Sequence, residues 1–421
     1  MTSSKSSLTP LEDGSRVVII GGGPGGTACA LALQRLAAEM ERPVKITLLE
    51  GKQFVGERHY NQCVGVLSPP LPALLEKHLC VPFPRHLSRN QIRGYVLHTA
   101  GEAIVLKDDG EASWSVRRVQ FDAYMLDQVL KRDIPVLPAR AVDLEFHADG
   151  VIVYTESAPL EADVIVGAFG LDEGSASMFA RITSYRPPQA LSSVVTKYHP
   201  GSDGMQRFGT YIHAFLPTHP RIEFGGITPK GNHLTINIAG NSVDTSLMHS
   251  FLNLPAVQNV LPNLQDAGSY DVNDLRLFKG RFPRSLARGF YGDRYVLVGD
   301  AAGLVRAFKG KGITSAMQTG IRAAETIVRY GISRQAFHRH YRPANRDITD
   351  DLPYGRGTRL LTIFLSRYGL LDAVLRAANQ SPVLRSALLE AVSAHAPYRQ
   401  VLEKALRPKI VGAILRAMLP G

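Results

Sequence analysis

The sequence predicts an α/β fold in which a Rossmann-type domain is interrupted by an antiparallel β-sheet substrate domain and followed by a helical C-terminal region. Three observations predict this fold. A βαβ pattern with a glycine-rich turn lies near the N-terminus, short runs of β-branched and aromatic residues fill 187–282, and the pattern from Gly312 onward is helical. The 421 residues, 45% of them hydrophobic and 20% charged, suffice for two or three packed units.

The βαβ pattern follows a polar tail at residues 1–14. The apolar run at 16–20 predicts a buried parallel strand, 27–40 predict a helix rich in Ala and Leu, and 44–50 predict a second strand. Between the first strand and the helix stands the sequence Gly-Gly-Gly-Pro-Gly-Gly. This order of elements is typical of a nucleotide-binding unit.

Three of these glycines match the spacing G-x-G-x-x-G. Gly21 makes the tight turn, Gly23 lets a pyrophosphate approach the backbone, and Gly26 lets the helix and the strand pack closely. Glu50 ends the second strand near the roughly 20-residue spacing at which an acidic residue accepts hydrogen bonds from ribose hydroxyls. The motif predicts a bound dinucleotide but does not distinguish FAD from NAD.

Strands and helices alternate through the middle of the chain. Strands are predicted within 95–106 and at 134–136, 142–146, 151–155 and 163–166, with helices near 71–78 and 121–131. The domain boundaries predicted from these patterns are 15–90, 118–186 and 283–345 for the three parts of the dinucleotide-binding domain, 91–117 and 187–282 for the substrate domain, and 346–421 for the helical C-terminal region.

A second motif, at residues 295–320, favours FAD. A buried strand leads into Gly299 and Asp300, and an Asp at a strand end is well placed to bond the ribityl hydroxyls of a flavin. The following glycine-rich turn leads into a helix at Gly310, Gly312 and Ile313. The positive end of a helix suits the negative charge of a reduced isoalloxazine ring.

At these residues the chain resembles the flavoprotein group that includes aromatic hydroxylases and geranylgeranyl reductases. The stretches 299–303 and 310–313 are similar to the second FAD motif of that group. The resemblance is closer to the geranylgeranyl reductases, because Gly303 follows where hydroxylases usually place His. Residues 224–231 also resemble the reductase signature Tyr-Gly-Trp-x-Phe-Pro-Lys-Gly, and 63–69 resemble the reductases' Cys-Gly-rich-Leu-Ser stretch.

The resemblance implies an FAD-dependent oxidoreductase that reduces the C=C bonds of an isoprenoid chain, in a geranylgeranyl lipid or a prenyl quinone, with NAD(P)H or another reductant as the electron source. It implies that Arg118 supports the cofactor and that Cys63 lies near the flavin. The substrate residues that it implies are Phe224, Gly226, Thr228, Pro229 and Lys230.

The sequence departs from the family pattern at several positions. Gly226 and Thr228 stand where the signature has Trp and Phe, so we expect a more open substrate wall, or one shaped for another lipid. Ala307 replaces the usual Pro before the flavin turn. Lys309 and Lys311 lie nearby, and they add positive charge where a reduced flavin or an anionic substrate group could bind.

Two candidate site residues have alternative interpretations. Cys63 could donate a proton or could pack against the flavin as a small hydrophobic side chain. Lys230 could contact a phosphate or carboxylate of the substrate, or could be a solvated turn lysine. His59 and Tyr60 are nearby candidates, and nothing in the sequence fixes their roles.

The composition indicates which classes of partner the protein can bind. The formal net charge of +11 favours anionic ligands or a membrane surface, and the scattered basic residues predict no nucleic-acid binding. The three cysteines form no C-x-x-C pair, which favours a reducing, cytoplasmic setting. No segment is apolar enough to span a membrane. The basic, apolar stretch at the C-terminus predicts either a packed helix or one that lies on the inner face of the cell membrane.

Three functions remain open from the sequence. The first is a reductase acting on a hydrophobic small-molecule or lipid substrate. The second is a flavin monooxygenase of an aromatic or polyketide compound, although Phe169 replaces the Asp of the hydroxylase Asp-Gly motif. The third is a non-catalytic flavin carrier that exchanges electrons with a donor protein.

Overall fold

The structure is a computed structural model that describes residues 10–54, 63–262, 275–306 and 311–418. Its strands are β1 (Arg16–Ile20), β2 (Lys45–Leu49), β3 (Val66–Leu67), β4 (Ser88–Ile92), β5 (Gly94–His98), β6 (Ala103–Lys107), β7 (Ser113–Val116), β8 (Val136–Leu137), β9 (Ala141–Phe146), β10 (Val151–Thr155), β11 (Leu160–Ala162), β12 (Val164–Gly167), β13 (Ala190–Tyr198), β14 (Ile212–Phe215), β15 (Ile222–Lys230), β16 (His233–Gly240), β17 (Phe278–Pro283), β18 (Tyr291–Gly292) and β19 (Tyr295–Leu297).

The helices are concentrated in the last third of the chain. They are α1 (Pro24–Glu39), α2 (Leu71–Ala73), α3 (Arg118–Leu130), α4 (Glu173–Ile182), α5 (Gly201–Phe208), α6 (Thr245–Leu252), α7 (Pro255–Gln258), α8 (Gly299–Ala302), α9 (Gly312–Tyr330), α10 (Arg334–Ala336), α11 (Arg342–Ala344), α12 (Arg346–Thr349), α13 (Leu352–Arg367), α14 (Leu371–Gln380), α15 (Pro382–Ser393), α16 (Tyr398–Ala405) and α17 (Pro408–Met418). Single π-helical turns at Leu74–His78 and Phe337–Tyr341 extend α2 and α10.

A six-stranded sheet carries the nucleotide-binding unit. Its order is β18-β19-β12-β1-β2-β8, and every pair is parallel except β18 with β19. The central strand β1 is buried because it has neighbours on both edges and helices on its faces. This sheet confirms the predicted Rossmann-type part of the fold. The carboxyl ends of β1, β2 and β12 meet at one edge, where ligands bind in such sheets.

The helices that follow the two glycine motifs pack directly against each other. A Cβ atom built on Gly320 of α9 would lie 2.3 Å from the carbonyl oxygen of Gly25 in α1, so only glycine permits this approach. The helix α1 begins at Pro24, before the predicted start at residue 27. The helix starts earlier than predicted because proline is favoured in the first turn of a helix. Close packing also keeps the glycines that follow this proline in the helix. The fold thus brings the two motifs together.

A seven-stranded sheet forms the second body, in the order β17-β13-β16-β15-β14-β5-β6. Its pairs are antiparallel except for β14 with β5, which is parallel because the chain leaves the sheet between them. Within 187–282, where the sequence predicts strands, α5, α6 and α7 are also present, and a cluster around Phe251 and Ile236 packs them against one face of the sheet. The helices α14, α15 and α17 cover the other face at β5, β6 and β14.

A small sheet, β3-β7-β4, connects the two bodies. The hydroxyl of Ser115 in β7 donates a hydrogen bond to the carbonyl oxygen of Pro229 at the end of β15, over 2.8 Å. The chain then turns from β7 into α3, whose first residue is Arg118. The end of β15 and the start of α3 therefore lie side by side.

Candidate functional site

The glycines of the first motif have the spatial roles that the spacing predicts. Gly21 has φ +111°, and a Cβ there would lie 2.6 Å from the carbonyl oxygen of Ala168. A Cβ on Gly26 would lie 1.9 Å from the carbonyl oxygen of Gly21, whereas a Cβ on Gly23 would meet nothing within 4 Å. The tight turn and the helix packing account for the first and third glycines. The open space at the second fits the approach of a pyrophosphate.

Glu50 follows β2 at the same edge of the sheet. Its carboxylate accepts hydrogen bonds from the backbone N–H groups of Gly22, at 2.9 Å, and Lys52, at 2.8 Å. Burial raises the pKa of Glu50, and these two hydrogen bonds oppose the increase. The carboxylate is held beside the glycine turn, in a position that fits a ribose hydroxyl.

The second motif places Asp300 one residue into α8, just beyond the strand end that the sequence predicts. Burial raises the pKa of Asp300 to about 6, and the charge of Arg118 opposes this increase. Arg118 is itself buried, and its Nε donates to a carboxylate oxygen of Asp122 over 2.7 Å. The charge of Arg118 lowers the pKa of Asp300, so these two residues, predicted from separate motifs, lie close enough to interact electrostatically.

The N-terminus of α9 lies against the loop that contains Ser68 and Pro69. Lys311 precedes the helix, and its Nζ donates to the carbonyl oxygen of Pro69 over 2.7 Å. Gly312 is the first residue of the helix, and Ile313 is buried. The other candidates near these two loops lie outside the described residues: His59, Tyr60, Ala307, Lys309 and Gly310.

Cys63 lies beside Arg118 and Lys230 in a basic pocket. Its sulfur accepts a hydrogen bond from the backbone N–H of Gly65, at 3.3 Å. Gly65 has φ +70°, and a Cβ there would lie 2.4 Å from the carbonyl oxygen of Val116 and 2.9 Å from Nζ of Lys230. The Cys63 loop therefore fits closely onto Lys230. The residues that line the pocket are Cys63, Arg117, Arg118, Val195, Thr196, Lys197, Lys230, His233, Thr235 and Phe278.

The pocket is basic and largely buried. Lys230 is 4% exposed, and burial lowers its pKa to about 8. The charges of Lys197, Arg117 and Arg118 lower this pKa further, and Cys63 acts in the opposite direction. Burial likewise lowers the pKa of His233 to about 3. In the described part of the chain, no carboxylate is among the groups that shift the pKa of either residue.

The strand β15 presents the predicted substrate residues on alternating faces. Phe224, Gly226, Thr228 and Lys230 share the face that carries the pocket, whereas Pro229 is turned to the opposite face. A Cβ on Gly226 would lie 3.0 Å from the side-chain oxygen of Asn237. Four of the five predicted substrate residues thus belong to one surface.

Sequence reasoning missed the neighbours of Lys230 on the adjoining strands. Register pairs Lys197 with Thr235 and Lys230 with His233. The hydroxyl of Thr235 is buried without a hydrogen-bond partner among the described residues. The alternation of polar and apolar residues in β13 and β16 was a signal for one polar face, but only the register shows that the two faces are continuous.

Comparisons with known proteins agree with this geometry. The chain is 26% identical over 333 residues to the digeranylgeranylglycerophospholipid reductase of Methanothrix thermoacetophila, a match covering 74% of this chain and 77% of that protein. A geranylgeranyl bacteriochlorophyll reductase-like protein from Thermoplasma acidophilum superimposes with a TM-score of 0.73 at 16% identity, over 97% of this chain and 100% of the other. No model of a protein family matches the chain.

The same fold occurs in a monooxygenase. The p-nitrophenol 4-monooxygenase of Pseudomonas putida superimposes with a TM-score of 0.65 at 14% identity, over 91% of this chain and 98% of that enzyme. At this identity the similarity shows the fold alone.

In the described ranges, no helix combines the length and apolar character that a membrane crossing requires.

Proposed function

We propose that this chain, a geranylgeranyl reductase-like FAD-dependent oxidoreductase, saturates C=C bonds of an isoprenoid chain that carries an anionic group at one end. The observation that carries the proposal is the buried basic pocket beside Cys63. The reductase relative, whose name describes an isoprenoid phospholipid, supports the same substrate class.

The basic pocket supports an anionic group on the proposed substrate. Lys230 is a buried cation with basic neighbours, and a buried charge without compensation is costly. A phosphate or carboxylate oxygen there would be attracted to Lys230, Lys197 and Arg117, and the hydroxyl of Thr235 would gain an acceptor. The ligand would therefore supply the negative charge that the described neighbours of Lys230 do not.

Aromatic side chains on the same sheet face support an apolar isoprenoid chain in the proposed substrate. Phe278 lines the pocket, and Phe282 lies four residues further along β17, roughly 13 Å away at strand spacing. The ring of Phe224 lies 6.1 Å from that of Phe282. One face thus has a basic end and an aromatic end, which matches a lipid with a charged head and an apolar chain.

Bound reduced FAD supplies a hydride for this reaction. An isolated C=C bond has no carbonyl group for the protein to polarise, so alignment of the alkene and exclusion of water provide most of the catalysis. We propose that Arg118 and Asp300 orient the cofactor and that Cys63 or a water molecule supplies the proton. NAD(P)H or an electron-donor protein would restore the reduced state.

An anaerobic assay tests this function. Dithionite-reduced protein is mixed with geranylgeranyl phosphate or uncharged geranylgeraniol, and the products are analysed by mass spectrometry. We expect a gain of about 2 mass units per reduced bond and a lower KM for the phosphate. The Lys230→Met variant should lose that difference in KM, whereas the exposed control Lys107→Met should keep it.

The alternative functions give different results in the same assay. Oxygen incorporated into an aromatic substrate under air would identify a monooxygenase. Electron exchange with a partner protein, without conversion of any alkene, would identify a carrier. Either result would refute the reductase proposal.

A further inference from the structure

The helix α13 has an inverted distribution of polarity. Its inward face is polar, since Thr358 and Ser366 are buried there. The hydroxyl of Ser366 donates to the carbonyl oxygens of Leu216 and Pro217, at 3.1 and 2.8 Å. A surface helix normally buries its apolar residues and exposes its polar ones. Here buried polar side chains make much of the contact with the protein, and Leu365 packs beside them against the cluster that α14 and α15 share with the sheet.

An ion pair fixes this orientation. Nε of Arg359 donates to the carboxylate of Glu223 over 2.9 Å, and both side chains are largely buried. The pair holds the middle of α13 against the start of β15. The rotation of the helix is therefore determined by specific polar contacts, and the outward face is a fixed feature of the fold.

The outward face is apolar and exposed. Leu360, Phe364 and Tyr368 are 55%, 53% and 68% exposed, which is unusual for such large side chains in one place. At 3.6 residues per turn these positions lie on one side of the helix. We name this surface the α13 stripe, and its members are Tyr354, Leu360, Leu361, Phe364 and Tyr368.

The chemistry of the α13 stripe is that of a membrane interface. Tyr354 and Tyr368 lie at its two ends with Leu and Phe between them, an order typical of side chains that lie at the level of lipid headgroups. Arg356 and Arg367 are exposed along one edge, where Arg367 also donates a hydrogen bond to the carbonyl oxygen of Pro220. Residues 352–368 contain no Asp or Glu.

We infer that the α13 stripe docks the protein on an anionic lipid surface, with its apolar side chains in the headgroup region and the flanking Arg356 and Arg367 beside lipid phosphates. The charge decides between occupants, because the flanking arginines of α13 in a second copy would repel those of the first across a symmetric contact. An anionic membrane complements both the apolar side chains and the arginines.

This inference goes beyond the proposed function and concerns where the enzyme meets its substrate. The start of β15, which α13 contacts through Glu223, leads along the strand to Lys230, roughly 20 Å away. Docking through α13 would hold the aromatic end of the substrate face near the lipid. Vesicle binding requires no turnover, so the two proposals can fail independently.

The C-terminal helix is a weaker candidate for the same contact. Ile410 of α17 is buried, and Ala413, Ile414 and Ala417 pack against the same cluster. Val411 and Leu415 remain exposed. Membrane contact through α17 therefore involves fewer side chains, and it stays a prediction that the same experiment tests.

Vesicle flotation with the FAD-loaded protein tests the inference. We expect binding to vesicles containing phosphatidylglycerol and weak binding to pure phosphatidylcholine. The double variant Leu361→Gln/Phe364→Gln should weaken binding about tenfold or more, with its flavin absorbance unchanged. The matched control Val105→Gln/Val142→Gln removes two side chains that are 48% and 52% exposed elsewhere, and it should bind like the wild type.

A spectroscopic readout supports the assignment to one face. The chain has a single tryptophan, Trp114. In a Trp114→Phe background, Phe364→Trp should show a blue-shifted emission when anionic vesicles are added. Equal loss of binding in the two double variants would overturn the inference. So would loss only in Val411→Gln/Leu415→Gln, or a dimer that dissociates in the α13 variant without any vesicle binding.

Discussion

Replacing Lys230 with Met should stabilise the protein while weakening its proposed ligand site. Met has a similar length and carries no charge, so the buried cavity stays filled. Burial lowers the pKa of Lys230 from 10.5 to about 8. Each tenfold change in that equilibrium corresponds to about 1.4 kcal/mol, so at pH 7 the charged lysine costs the folded state about 3 kcal/mol.

The effect has a defined dependence on pH. Below pH 8 both the folded and the unfolded chains carry the charge, and the full cost is present. As the pH rises towards 10.5, the folded protein has lost the proton while the unfolded chain keeps it, so the cost shrinks. The advantage of Lys230→Met should therefore fall from about 3 kcal/mol at pH 7 to about 1 kcal/mol at pH 10.

Urea unfolding of FAD-free protein at the two pH values measures this advantage. The exposed control Lys107→Met should change the free energy of unfolding by less than about 0.5 kcal/mol at either pH. A Lys230→Met variant that is less stable than the wild type at pH 7 would refute the reasoning. It would mean that Lys230 makes a stabilising interaction stronger than its burial cost.

Four further substitutions test the packing around the site and the docking of α13. Gly26→Ala places its Cβ 1.9 Å from a carbonyl oxygen, so it should lower the free energy of unfolding, measured in urea, by about 3 kcal/mol. Gly23→Ala meets no atom within 4 Å, so it should leave stability unchanged, but it should weaken FAD binding in a fluorescence titration. Gly65→Ala combines φ +70° with a 2.4 Å contact, and it should raise KM for the lipid phosphate by displacing the Cys63 loop. Glu223→Gln leaves Arg359 without its buried partner and should cost about 3 kcal/mol in urea; a loss below 1 kcal/mol would show that the pair is not important for docking α13.

The fold class and the cofactor motifs could be predicted because their signals are local. A strand of four or five apolar residues, a glycine turn and an Ala-rich helix specify a βαβ unit from adjacent positions, and the structure reproduces it at β1, α1 and β2. The start of α1 was misplaced because glycine has low helix propensity. At Gly25 and Gly26, tertiary packing overrides that propensity.

The basic pocket needed the tertiary structure. Lys230 was a candidate from its motif, but Lys197 and His233 belong to strands whose pairing is not encoded in any short pattern. Strand register places these three side chains within one pocket and leaves Thr235 buried beside them. Burial then decides the electrostatic character of Lys230, because a lysine in a solvated turn would keep its ordinary pKa.

The sequence by itself determined which segments have helical or strand periodicity, where the glycine turns lie and which acidic residues follow the strands, because each of these depends on neighbours along the chain. The tertiary structure decided which face of an element is buried where the residue pattern along the chain predicts a different face. In α13 periodicity would place Leu360 and Leu361 in the core, but both are exposed, because the ion pair between Arg359 and Glu223 fixes another side of the helix against the protein. Burial depends on which elements meet in space, and a helical pattern read along one segment carries no information about its neighbour.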